Sequence, residues 1–264
     1  YQRRVRGGSL QSMMEPQIQF KHCISKCFQF NRTEDILKNV CRNDQQLLAR
    51  VQQHKDKTDD EIIALVPELV TTVQTQQNLA MRCAQFVSLA HEFVPAPHNL
   101  LDVCCGDGKL TSMMQQQLGA KATGIDMLDL QCQEFNYLKL DLNLQKTNFA
   151  EKFDVISMQG ALHMVLDQNS ILQFVSNNLS KNGVFILYDF FVENEADVHV
   201  GDLYHLQQYV LNQKMPLRNY FNEFYTHYVS KKVLEELVDG LMDIVKIVKV
   251  DEVRCWVVMK NVEQ

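Results

Sequence analysis

Short, nearly unbroken apolar runs punctuate the second half of this chain. They are NLLDVCC from residue 99, ATGID from 122, YLKLDL from 137, FDVISM from 153, VFILYDFF from 184, MDIVKIVKV from 242 and VRCWVVM from 253. Runs so continuous in Val, Ile, Leu and Phe are expected of strands covered on both faces. Between some of them the apolar period lengthens to that of a helix, as at Leu110, Met113, Met114 and Leu118. Helices fit after the first, fourth and fifth runs, which predicts a largely parallel sheet with α-crossovers. The last two runs are parted only by the few residues around Asp251 and Glu252. A parallel crossover needs a dozen or more residues, so these two runs are expected to form an antiparallel hairpin. The predicted fold is thus α/β: a seven-stranded, mostly parallel, doubly wound sheet closed by a C-terminal antiparallel hairpin.

Upstream, from about residue 33 to 93, the pattern is helical. Thr33, followed by Glu34 and Asp35, suits a helix start with an N-cap hydroxyl and acids in the first turn. Ile36, Leu37, Val40, Leu47, Leu48 and Val51 then recur at helical spacing. After KDKTDDE, a charged break read as a solvated turn, a second helix carries Ile62, Ile63, Val66, Leu69 and Val70, with Pro67 predicting a kink or restart. A third helix, from Asn78 to Phe93, runs into the stiff connector VPAPHN. These features divide the chain into a tail at 1–19, an N-terminal helical extension at 20–94 and a sheet domain at 95–264 with an insertion at 191–230.

Composition narrows the class. A chain of 264 residues with 46% hydrophobic and 22% charged residues has the balance of an ordinary globular protein. No apolar run reaches the roughly 20 residues that span a bilayer, and no signal-peptide pattern opens the sequence. The net charge of −6 argues against a broad nucleic-acid-binding face. The one basic cluster, Arg3, Arg4 and Arg6, precedes Gly-Gly-Ser and reads as a tail. Of the eight cysteines, Cys104 and Cys105 adjoin in one strand and the rest are scattered. Reduced thiols in a cytoplasmic setting are expected. His22, Cys23, Cys27 and Cys41 have zinc-ligand chemistry, but their loose spacing lacks a second pair, so no metal is expected.

The chemistry centres on LLDVCCGDGKLTSMM, residues 100–114, where strand, glycine turn and helix follow one another. A phosphate-binding P-loop requires Lys followed by Ser or Thr, but Lys109 precedes Leu110 and the upstream glycine is missing. A dinucleotide fingerprint requires a third glycine, where this chain has Thr111, although Asp126 lies about 20 residues on, where an acid would hold a ribose.

The stretch DVCCGDG resembles the first motif of class I S-adenosylmethionine-dependent methyltransferases, an acid followed by glycines at alternate positions. Asp102, Gly106 and Gly108 match it, and Cys104 stands in place of the first glycine. The resemblance extends to about residue 260. TGID resembles the second motif, LDL at 140–142 the acid-bearing end of strand three, FDVISMQGALHMV the fourth-strand motif, and LSKNGVFILYDF the helix, glycine turn and fifth strand. It implies S-adenosyl-L-methionine as cofactor. The first turn and the helix behind it would meet the methionine end. Asp126 would accept from the ribose hydroxyls and Asp141 from the adenine amino group, with Met127, Leu142, Cys104 and Gln159 as neighbouring contacts.

One departure bears on the acceptor. MLDLQCQEFN, between Asp126 and strand three, is too short for the usual crossover helix, as in some RNA ribose methyltransferases. Those enzymes carry an acid at the end of strand four, where this chain has Met158 and Gln159. The segment SMQGA lacks the proline that marks amide or base N-methylation. A small-molecule acceptor is therefore expected. Protein, transfer RNA and a non-catalytic scaffolding role remain as alternatives, and no oligomeric state is implied. ALH resembles a segment of small-molecule methyltransferases in which the His lies near the pocket, so His163 is a candidate base or a packing residue. The insertion carries Tyr204, His205, Tyr209, Tyr220 and Tyr225. With the N-terminal helices it is expected to roof the acceptor, and Tyr204 and His205 are the residues placed against it.

Overall fold

A computed structural model of the chain describes residues 79–130, 134–142, 149–194, 197, 201, 228–251 and 253–262. The chain divides into two compact units, residues 1–76 with 192–226 and residues 77–191 with 227–264. The expectations for the tail, the first two N-terminal helices, the candidate zinc ligands and most of the insertion, including Tyr204 and His205, lie outside the described residues. The fold described here is that of the second unit.

Its elements run α1 (Leu79–Phe93), β1 (Asn99–Val103), α2 (Lys109–Leu118), β2 (Lys121–Asp126), β3 (Asn136–Lys139), β4 (Phe153–Gln159), a 3₁₀ turn (Leu162–Met164), α3 (Gln168–Asn178), β5 (Leu179–Phe190), α4 (Lys231–Val238), β6 (Met242–Lys249) and β7 (Arg254–Asn261). The seven strands stand in the order β3-β2-β1-β4-β5-β7-β6. The five from β3 to β5 are parallel, and β7 runs antiparallel to both β5 and β6. The expected hairpin is present, turned at Val250 and Asp251, whose N–H groups both donate to the carbonyl of Arg254.

Alternation along each strand builds two cores, one per face. Leu101, Val103, Phe185, Leu187, Val257 and Met259 face one side, where Leu172, Val175 and Leu234 of α3 and α4 cover them. Leu100, Ile186, Tyr188, Trp256 and Val258 face the other, under Phe86 and Ala90 of α1 and Met114 of α2. Such two-sided burial explains why the runs carry so little polar alternation. Helix α1 ends the predicted N-terminal extension in the sequence pattern, yet its Cys83, Phe86, Leu89 and Ala90 pack on the sheet. Side-chain caps start the last two helices. Asp167 accepts from the N–H of Ser170 at α3, and Ser230 from that of Val233 at α4.

Two local details differ from the sequence reading. Strand three is shorter than YLKLDL and ends at Lys139, because as an outer strand it pairs only with β2 and is largely exposed. The segment LSKNG forms no glycine turn. It belongs to the 12-residue β5, whose pairing with β4 shifts register between Phe153 and Val155. Gly183 is required there because a Cβ would lie 2.8 Å from the carbonyl oxygen of Phe153.

Candidate active site

The strand order reverses between β1 and β4, and an open α/β sheet forms its ligand crevice beyond the carboxyl ends of the strands at such a point. Register brings those ends level. Val103 pairs with Ile125 and Met158, and Asp126 with Lys139. The glycine turn therefore lies beside the tips of β2 and β4; Asp126 ends β2, and Asp141 follows two residues after the end of β3.

Positive φ makes the turn. Cys104 has φ 58°, Gly106 60° and Gly108 74°. The two glycines hold this conformation freely, while Cys104 is a non-glycine residue in the left-handed region and carries strain. Beyond Gly106 a Cβ would meet nothing within 4 Å, so its backbone borders open space. Gly108 differs, since a Cβ there would lie 2.7 Å from the Phe135 ring. That buried ring also excludes a side chain at Gly124, at 2.6 Å. Gly108 thus admits Phe135 beneath the turn and opens helix α2, which starts at Lys109 with no side-chain cap. Asp107 Oδ1 accepts from the N–H of Lys109 at 3.2 Å, and the positive end of the helix dipole behind it favours an anion.

Asp126 ties the second strand to the turn. Its Oδ2 accepts from the N–H of Gly106 at 2.8 Å, and its Oδ1 from that of Leu128 at 3.1 Å. The short connection after it, which replaces a crossover helix, is braced by Tyr137. The Tyr137 hydroxyl lies 3.0 Å from the carbonyl of Asp126 and 2.5 Å from that of Leu128. Met127 and Leu128 are exposed at this rim, Asp141 is partly buried, and Leu142 packs against the core edge.

Asp102 lies below the turn rather than in it. It is 3% exposed, and its Oδ2 accepts from Thr111 Oγ1 at 2.6 Å. Burial pushes its carboxyl up to about 6, against the lowering effect of hydrogen bonds from Thr111 and Ser157. From there a polar chain runs under the site to the first helix. Gln159 Nε2 donates to Ser157 Oγ at 3.1 Å, and Arg82 Nη2 donates to Gln159 Oε1 at 3.1 Å. Asp102 accordingly braces α2 against β4 and contributes indirectly.

A family model described as a methyltransferase domain matches residues 75–240. The chain belongs to this methyltransferase domain family. Its sheet order and hairpin are those of the class I methyltransferase fold. Among solved structures, the Burkholderia thailandensis 1,6-didemethyltoxoflavin-N1-methyltransferase, bound to 1,6-didemethyltoxoflavin and S-adenosylhomocysteine, is similar at 13% identity. The match covers 77% of this chain and 87% of that one, with a TM-score of 0.51. The PH0226 protein from Pyrococcus horikoshii is similar at 17% identity over 71% of this chain and 92% of that one, TM-score 0.51. The plantazolicin methyltransferase BpumL, in complex with a triazolic desmethylPZN analog and S-adenosylhomocysteine, is similar at 14% identity. That match covers 96% of this chain and 99% of that one, TM-score 0.51. No curated protein sequence matches.

The cofactor of such a methyltransferase is S-adenosylmethionine, and the residues present fit it. Open space beyond Gly106, the start of α2 and the carboxylates of Asp126 and Asp141 suit an anion, a ribose and an adenine amino group. Among the described residues no cluster of His, Cys, Asp and Glu has the geometry of a metal site, and no helix is long and apolar enough to cross a membrane. The thiols of Cys104 and Cys105 are raised above the ordinary thiol range by burial first and nearby aspartates second, so both stay protonated and poorly nucleophilic.

His163 lies in the 3₁₀ turn after β4 and is 1% exposed. Its Nδ1 is hydrogen-bonded to Asp189 Oδ1 at the end of β5. Its ring stacks on Tyr228 at 5.7 Å and meets Phe190 edge-on at 5.2 Å. Asp189 also accepts from the N–H groups of Leu162 and Phe190, each at 2.7 Å. Two members of this arrangement escaped the sequence reading. Asp189 sits inside an apolar run, and Arg82 in an ordinary helical period, where neither has a local motif.

Proposed function

We propose that this methyltransferase domain transfers the methyl group of S-adenosylmethionine to a small-molecule acceptor. The observation that carries the reading is the Gly106–Asp126 junction, where a left-handed glycine beside open space is hydrogen-bonded to the carboxylate at the tip of β2. Bound there, the cofactor supplies an electrophilic methyl group on a sulfonium. Asp126 accepts from the ribose hydroxyls with the lone pairs its backbone contacts leave, and Asp141 accepts from the adenine amino group. Met127 and Leu142 provide apolar surface along the adenine. The start of α2 meets the methionine carboxylate. Cys104 and Gln159 lie towards the sulfur.

Methyl transfer is an in-line displacement, and the chain's contribution is chiefly to hold the nucleophile against the methyl group. The burial of His163 and its bond to Asp189 support a role in fixing the Gly160–Met164 turn rather than proton removal. Tyr204 and His205 of the insertion are assigned to the acceptor. The net charge of −6 supports a small acceptor over RNA. The test is transfer of tritiated methyl from labelled cofactor into fractionated small-molecule, protein and RNA extracts. Label in the small-molecule fraction supports this reading, and label confined to protein or RNA overturns its acceptor class.

A further inference from the structure

Two aromatic side chains of the outermost strand stand under the site. Parallel crossovers are right-handed, so the connection from β2 to β3 passes over the same face of the sheet as α2. That connection is too short for a helix, and β3 meets the face with its own side chains. Phe135, which leads into β3, and Tyr137 within it are two residues apart and point the same way, into the core beneath α2. The Phe135 ring fills the space beside Gly108 and Gly124 and supports the glycine turn. Tyr137 is half-buried, and its hydroxyl reaches the segment that follows β2.

The two carbonyls that this hydroxyl meets are not held alike. That of Asp126 also accepts from the N–H of Leu140 at 2.8 Å, so the tip of β2 stays paired without the hydroxyl. Among the described residues, the carbonyl of Leu128 accepts from Tyr137 alone, at 2.5 Å. The N–H of Leu128 donates to Asp126 Oδ1 at 3.1 Å. Leu128 is thus tied at both ends, by its N–H to the carboxylate and by its carbonyl to the outer strand. Released at the carbonyl, Leu128 is free to withdraw the N–H that orients Oδ1, which leaves Gly106 as the main hold on the Asp126 carboxylate. The Lys139–Asp129 ion pair, at 3.0 Å, is exposed and holds this segment only weakly. Burial first and the Asp126 charge second push the Tyr137 hydroxyl up to about 12, so it keeps its proton and donates at any physiological pH.

We propose that Tyr137 is a positioning residue for the cofactor: from the outermost strand its hydroxyl fixes Leu128, and through Leu128 it keeps the Asp126 carboxylate aimed at the ribose. Met127, 39% exposed between the two tied residues, is held along the adenine by the same bonds. Tyr137 itself does not touch the cofactor. In this chain β3 supplies the support that a crossover helix would otherwise give to this side of the site. The proposal rests on the reading that Asp126 takes the ribose.

Tyr137→Phe removes the hydroxyl and keeps the ring in the core. Calorimetry with S-adenosylhomocysteine compares the full wild-type chain, Tyr137→Phe, Asp126→Ala and the double variant. Affinity is expected to fall at least about threefold in Tyr137→Phe, the scale of one hydrogen bond. In the Asp126→Ala background the same substitution is expected to cost less than about twofold, because its effect passes through the missing carboxylate. A loss below about threefold in Tyr137→Phe alone overturns the proposal. So does a loss above about twofold in the Asp126→Ala background, which would make the hydroxyl a general support of the fold. If the wild-type chain binds no S-adenosylhomocysteine, the cofactor reading falls and the proposal with it. Wild-type binding with an unaffected Tyr137→Phe removes the proposal alone.

Discussion

Thr111 Oγ1 donates to Asp102 Oδ2 at 2.6 Å, locking the first turn of α2 to β1 directly under the glycine turn. The bond explains what a buried acid at this position does: it fixes the helix that opens directly after the glycine turn.

The same burial makes Asp102 a source of pH dependence. Its carboxyl is pushed from 3.8 to about 6 in the folded chain. Between those values the native state binds more protons than the unfolded state, so stability falls as pH rises through the window. The group is fully buried, and the loss amounts to about 3 kcal/mol by pH 7. Unfolding midpoints from pH 4 to 7 should therefore decline more steeply in wild type than in Asp102→Asn. Parallel profiles would show that Asp102 titrates normally.

Cys104 occupies the left-handed region at φ 58°. Cys104→Gly and Cys104→Ala both remove the thiol, but only glycine relieves the backbone. The glycine variant should be more stable than the alanine variant by about 1 kcal/mol, read from denaturant midpoints. Equal stability would place the strain elsewhere.

Much of this site was legible because its parts are local. DVCCGDG names strand, turn and helix start within a few residues, and TGID fixes the acid at the next strand tip. Continuous apolar runs gave the two-sided sheet, and the short gap at Asp251 gave the hairpin. What stayed hidden depends on pairs distant in sequence. Arg82 meets Gln159 and His163 meets Asp189 only once the strands are aligned. At Gly108 and Gly124 the missing Cβ also makes room for the Phe135 ring, a contact that no local motif announces. Gly183 reads as a turn residue, yet its lack of a Cβ serves close strand pairing instead.

The His163–Asp189 pair separates packing from proton transfer. If His163 fixes the turn after β4, His163→Ala should lose about 3 kcal/mol of stability, because it leaves a buried carboxylate one partner short and opens space between Phe190 and Tyr228. Affinity for S-adenosylhomocysteine should change little. At a temperature where the variant is folded, kcat should fall by well under 10²-fold. A larger fall with unchanged stability would instead assign His163 as a base.

The central claim is that the glycine turn and Asp126 hold S-adenosylmethionine, and calorimetry tests it most directly. S-adenosylhomocysteine should bind the wild-type chain, and NAD should give no measurable heat. Asp126→Ala removes a pair of charge-assisted hydrogen bonds to the ribose, so it should weaken S-adenosylhomocysteine by about 2 kcal/mol, roughly 30-fold. Unchanged affinity in Asp126→Ala would contradict the ribose assignment, and tight binding of NAD would contradict the cofactor itself.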